Sequence, residues 1–76
     1  MPVGVTGYQI RAARALNGAN QVTIAAAAGV TGQTIERLER SGAQPVVSRD
    51  ATVAAVLAAL GARGVTVVPQ GVVLAS

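Results

Sequence analysis

The chain is 76 residues long, enough for one domain that buries only about 60% of its unfolded surface. It has no cysteine and no histidine, which excludes disulfides, thiolate chemistry and the usual zinc ligand sets. Six arginines and no lysine against three acidic residues give net +3, and that excess favours a polyanionic partner. A lysine-free chain rich in Ala, Arg, Gly and Val is also what a GC-rich genome produces, so the sign of the charge is the signal. Much of the hydrophobic 51% is alanine and the only aromatic is Tyr8, so the core is expected to be thin and made of Val, Ile and Leu. Oligomerisation is one way for such a chain to bury more surface. Met1-Pro2-Val3-Gly4 lacks the charged and apolar regions of a signal peptide. The longest apolar stretch, Ala51 to Leu60, is too short to span a bilayer, so a cytoplasmic protein is expected.

The first helix is predicted over Thr6 to Asn17, with Thr6 as N-cap and Gly18 as the stop. Ile10, Ala13 and either Leu16 or Asn17 mark its inward side, with Arg11 solvated and Tyr8 packing in the core or at the helix end. Asn20 caps a second helix over Gln21 to Ala28, and Ala19 with Ile24 makes a hydrophobic staple. Ile24, Ala25 and Ala28 give this helix a small-residue edge that another helix can approach closely. Gly29 ends it, since the left-handed conformation is open to glycine. The device repeats: Thr31 caps a third helix and Val30 staples to Ile35, with Ser41-Gly42 closing it. On this helix Ile35, Leu38 and Glu39 share one face and Gln33, Thr34 and Arg37 the other.

Ala43 to Ser48, with Pro45, reads as a loop. A fourth helix starts near Ser48 or Asp50 and ends at Gly64, with Val53, Val56, Leu57 and Leu60 on the spacing of one apolar face. Val65 to Val68 and Val72 to Ala75 read as two strands around Pro69-Gln70-Gly71, which suits a type I turn with a glycine bulge. This hairpin, spanning 65–75, is short and apolar with an open edge. It is expected to join two copies of the chain through Val67, Val72 and Leu74.

The informative unit is Asn20 to Gly42: two short capped helices, a Gly29-Val30-Thr31 turn, and a polar outward face on the second helix. These are the ingredients of a helix-turn-helix. The run Gln21-Val22-Thr23-Ile24-Ala25, the turn Gly29-Val30-Thr31 and the ending Ile35-Glu36-Arg37-Leu38-Glu39-Arg40-Ser41-Gly42 resemble the phage-repressor/Cro class of transcriptional regulators. Arg14 upstream also matches, and the similarity covers Tyr8 to Leu60.

The resemblance implies a mainly α fold: a compact four-helix helix-turn-helix domain of the phage-repressor type, single over 1–76, with the motif at 20–42 and a short C-terminal β-hairpin. It implies that helix 32–40 enters the major groove with Gln33, Thr34 and Arg37 facing base edges. Gln21 matches a phosphate-contacting position, and Arg14 with Glu39 matches a partly buried ion pair. Arg40 lies where it can approach the backbone. The class acts as a symmetric dimer on palindromic double-stranded DNA, with half-sites about 34 Å apart, and needs no cofactor. Three positions depart from the class. Gly32 stands where a longer side chain often reaches a base, Val22 where a polar residue is common, and the hairpin where a fifth helix is usual.

The chemistry of the residues is compatible with this reading. Glutamine can pair with adenine, arginine with guanine, and a threonine methyl can touch the thymine methyl. The helix N-termini at Gln21 and Gly32 offer amides to phosphate oxygens. Each role has a plainer rival: Gln33 and Thr34 as solvated residues, Arg37 paired with Glu36 or Glu39, Gly32 as an incidental weak helix former.

An enzyme is not expected. Glu36, Glu39 and Asp50 are the only carboxylates, and without His, Cys or Lys the acid–base and nucleophilic options are nearly exhausted. The expectation is therefore a cytoplasmic, nucleoid-associated regulator that binds double-stranded DNA as a homodimer, without metal or membrane. The rival is an antitoxin or adaptor that keeps the helix-turn-helix scaffold and binds a protein partner, which exposed Val22 and the apolar hairpin suit.

Overall fold

The computed structural model describes residues 4–69 and 71–74. Four helices, α1 (Gly7–Leu16), α2 (Gln21–Ala28), α3 (Gly32–Glu39) and α4 (Asp50–Ala62), precede a hairpin of β1 (Val65–Val68) and β2 (Gly71–Leu74). The chain is thus mainly helical with a two-stranded antiparallel sheet at its C-terminal end. No helix among the described residues is long and apolar enough to cross a membrane.

Local chemistry starts the first three helices. Thr6 Oγ1 accepts from Gln9 N at 3.2 Å while Gln9 Oε1 accepts from Thr6 N at 2.9 Å, a reciprocal capping box. Asn20 Oδ1 accepts from Thr23 N at 2.8 Å, and Thr31 Oγ1 from Thr34 N at 3.2 Å. Gly29 stops α2 at φ 72°, a left-handed conformation that lets Val30 N donate back to Ala25 O at 2.9 Å. Helix α4 begins differently: Arg49 precedes it without a side-chain cap, and only Asp50 complements the helix dipole.

The core is aliphatic. Ile10, Ile24, Ile35, Leu38, Val56, Leu60 and Val65 are almost wholly buried, with Ala13, Ala19 and Ala25 filling between them. Helix α2 lies against α3 and α4, α1 against α3 and both strands, and α4 against β1. The α1–α3 approach is very close. A Cβ on Gly7 would stand 2.4 Å from Glu39 O and 2.6 Å from Leu38 O, so only glycine fits where α1 starts against the end of α3.

Side-chain burial resolves the alternatives that the sequence left open. Of Leu16 and Asn17, Leu16 is exposed and Asn17 takes the inward place, where Nδ2 donates to Ala13 O and Oδ1 accepts from Ala19 N. Tyr8 takes the helix-end place rather than the core: it is 60% exposed with its ring over Gly42, just beyond α3, because α1 turns that position away from the core. On α4, Val56 and Leu60 are buried with Ala59, while Val53 and Leu57 are half-buried.

The hairpin also differs. Strand β2 begins at Gly71, which lies opposite Val68. Ala75 and Gln70 fall outside the described residues, and with Gln70 goes the expected type I turn. Val67 and Val72, expected between copies of the chain, are directly opposed in the sheet and pack against the chain's own core. The reason is strand periodicity: Val65 is fully buried, and Val67 follows it on the same face. The exposed apolar side chains of β2 are Val73 and Leu74.

Candidate nucleic-acid interface

Helix α3 crosses the start of α2. At its N-terminal end, a Cβ on Gly32 would lie 3.8 Å from Val22 Cγ2, and at its C-terminal end Gln21 Nε2 donates to Glu39 Oε1 at 3.3 Å. The opening turns of α2 and α3 are therefore neighbours. The Asn20 and Thr31 caps take the amides of Thr23 and Thr34. That leaves the N–H groups of Gln21, Val22, Gly32 and Gln33 without an acceptor among the described residues, two positive helix ends on one surface.

A polar network fixes the crossing. Arg14 donates from Nε to Glu39 Oε2 at 2.7 Å and from Nη2 to Glu39 Oε1 at 3.0 Å, and a third bond runs from Nη1 to Ala19 O at 3.2 Å. The Glu39 side chain is only 8% exposed, so the carboxylate depends on this fork and on Gln21 for its hydrogen bonds. The hydrogen bond to Glu39 raises the Arg14 pKa, partial burial opposes that, and the charge of Glu39 adds to it.

Two adjoining grooves run along α3. One, of about 280 Å³, is lined by Arg11, Arg14, Gln21, Glu36, Glu39 and Arg40; the other, of about 260 Å³, by Gln33, Glu36, Arg37 and Arg40. Together they bring four of the six arginines beside two carboxylates, so this face carries excess positive charge. Arg40 pairs with Glu36 one turn earlier, both well exposed.

The three side chains assigned to base edges stand in different situations. Gln33 is exposed and its amide has no partner among the described residues. Thr34 is half-buried, its hydroxyl 3.0 Å from that of Thr31. Arg37 pairs with neither Glu36 nor Glu39; its Nη1 donates to Val47 O at 2.9 Å and its Nη2 to Ser48 Oγ at 3.4 Å. Of the groups assigned to phosphate, Gly32 presents its amide, Gln21 is turned partly to Glu39, and Arg40 is engaged with Glu36. Sequence reasoning missed the Arg37–loop contact and the Gly7 approach. The first has no local signature, and the second is a glycine at the start of a helix, where several residue types are common.

No group of acidic side chains that could hold a metal ion occurs among the described residues. No protein-family model matches the chain, and no curated protein matches it.

Proposed function

We propose that this chain is a sequence-specific double-stranded DNA-binding regulator in which α2 and α3 act as a helix-turn-helix of the phage-repressor kind. The observation that carries the reading is the adjacency of the two helix starts. Four free amides there, with Arg11 and Arg40 nearby, suit two runs of backbone phosphate, while exposed Gln33 stands on the first turn of the helix between them. In this arrangement α3 enters the major groove, and the Gln33 amide reaches a base edge with a donor and an acceptor, the pattern adenine accepts. The Arg14–Glu39–Gln21 network sets the angle between α3 and the rest of the domain.

A single copy covers one half-site, so the active species is a symmetric dimer. Because Val67 and Val72 are turned to the core, the contact between copies in this reading runs along the open edge of β2, where Val73 and Leu74 are exposed on its two faces. Leu74→Asp then shifts the protein from dimer to monomer in analytical ultracentrifugation.

The test of DNA binding is a fluorescence-anisotropy titration on randomised duplexes at several salt concentrations. The affinity is expected to fall by about 0.9 log units per log unit of salt for each phosphate neutralised. Absence of binding at low salt, or a flat salt dependence, overturns the reading.

One observation favours the rival adaptor reading. Val22, 69% exposed, sits beside Gly32 on the surface assigned to DNA. Val22→Ser should leave DNA affinity intact if α2 and α3 face phosphate, and should abolish binding of a protein partner if they face an apolar surface.

A further inference from the structure

We propose that Arg37 is a positioning residue that latches the 43–49 loop onto α3, and that base reading in this region falls to Gln33. The inference rests on the α3 reading above for its base-reading half; the latch half stands on the fold alone.

The loop is held from two sides. On one, Val46 N donates to Val5 O at 2.7 Å, Thr6 bridges Pro45, and Val46 packs against the core. On the other, nothing apolar covers it, since Val47 is 83% exposed. Arg37 supplies the missing hold: one guanidinium edge meets the Val47 carbonyl and Ser48 hydroxyl together. These bonds matter because helix α4 starts at once, at Asp50, and Arg49 gives it no side-chain cap. The entry to α4 therefore lacks local capping chemistry, and a contact from α3 replaces it.

The same bonds bear on base reading. A guanine contact uses the guanidinium fork in a bidentate pair with O6 and N7. Here the end-on edge of that fork, between its two terminal nitrogens, already donates within the chain, so an end-on pair with a base means breaking both bonds and freeing the loop. Gln33 carries no such penalty. Its amide is exposed, it lies one helical turn before Arg37 on the same side of α3, and it has no partner among the described residues. The expected specificity is therefore one dominant A·T preference from this face, rather than paired adenine and guanine preferences.

Two measurements on the full chain decide it. The first needs no DNA: native-state hydrogen exchange at the amides of Val46, bonded to Val5 O, and Val53, bonded to Arg49 O. Arg37→Ala should speed both by about tenfold, the effect of losing one charge-assisted bond. Arg37→Lys should recover most of the protection, because an ammonium can still donate to the Val47 carbonyl. The second is selection from a randomised duplex pool. Arg37→Ala and Arg37→Lys should keep the wild-type base preferences at every position, while Gln33→Ala loses the A·T preference. Unchanged exchange in Arg37→Ala overturns the latch. Relaxed preference at a G·C pair in either Arg37 variant overturns the assignment of base reading to Gln33 alone. Should the wild-type chain select no sequence, the DNA reading fails, and the exchange data still decide whether Arg37 holds the loop.

Discussion

The α2–α3 pair and the C-terminal hairpin are held in opposite ways. Each helix of the pair is started by a cap between residues three apart, Asn20 to Thr23 and Thr31 to Thr34. The facing strand ends at Val68 and Gly71 are held by one side chain from the far end of the chain. Gln9 Nε2 donates to Val68 O at 2.7 Å, across 59 residues, and to Gly71 O at 3.3 Å, across 62. The same Gln9 closes the capping box of α1 through its oxygen, so one amide starts a helix with one end and docks a sheet with the other. The difference teaches that the α2–α3 surface is built locally, while the docking of the hairpin on the rest of the domain is built from contacts distant in sequence. Disrupting distant contacts should therefore cost more stability than removing local caps.

The largest effect is expected where α1 meets α3. Gly7→Ala drives a methyl into the Glu39 and Leu38 carbonyls, backbone atoms that cannot rotate away, and should destabilise by about 3 kcal/mol, the upper end of overpacking. Urea denaturation measures it; a loss below about 0.5 kcal/mol, within the range of surface substitutions, would mean the two helices separate easily.

Next comes the polar network behind α3. Arg14→Ala leaves the Glu39 carboxylate nearly buried with Gln21 as its remaining side-chain donor, and should cost about 2 kcal/mol, less than a fully buried pair because Arg14 is 20% exposed. The raised Arg14 pKa also has a pH consequence. Its stabilisation is complete below the ordinary arginine value and is lost only as pH rises through the still higher folded value. The difference in stability between wild type and Arg14→Ala should therefore stay constant from about pH 7 to 10. A difference that shrinks across that window would assign the stabilisation to another group.

Gln9 separates the two halves of its own role. Gln9→Glu keeps an oxygen for Thr6 N but turns a carboxylate toward the Val68 and Gly71 carbonyls, and should lower stability by about 2 kcal/mol with faster amide exchange in β1 and β2. If Thr6→Ala, which removes only the cap, frays the hairpin equally, the sheet is not docked by Gln9.

The smallest effect belongs to a local cap. Thr31→Ala should cost about 1 kcal/mol, with exchange accelerated in the first turn of α3 and little change in the hairpin. A loss as large as that of Gly7→Ala would erase the distinction between the two regions.

The sequence by itself determined the four helices, their order and the hairpin after them. Those features depend on short-range chemistry: Thr6, Asn20 and Thr31 as acceptors for amides three residues on, Gly29 as a left-handed stop, and Val/Ile/Leu spacing that names the buried side of α3 and much of α4. The polar outward side of α3 was legible for the same reason. Only the tertiary structure decided what each outward group is free to do. Arg37 is drawn to the 43–49 loop and Gln21 to Glu39, while Gln33 stays open. It also decided that Val67 and Val72 belong to the core, because the side a short apolar strand buries depends on what lies beside it. Gly7 makes the point most sharply: its sequence context is an ordinary helix start, and its need for no side chain exists only because the carbonyl end of α3 arrives from 32 residues later, at Glu39, to fill the space.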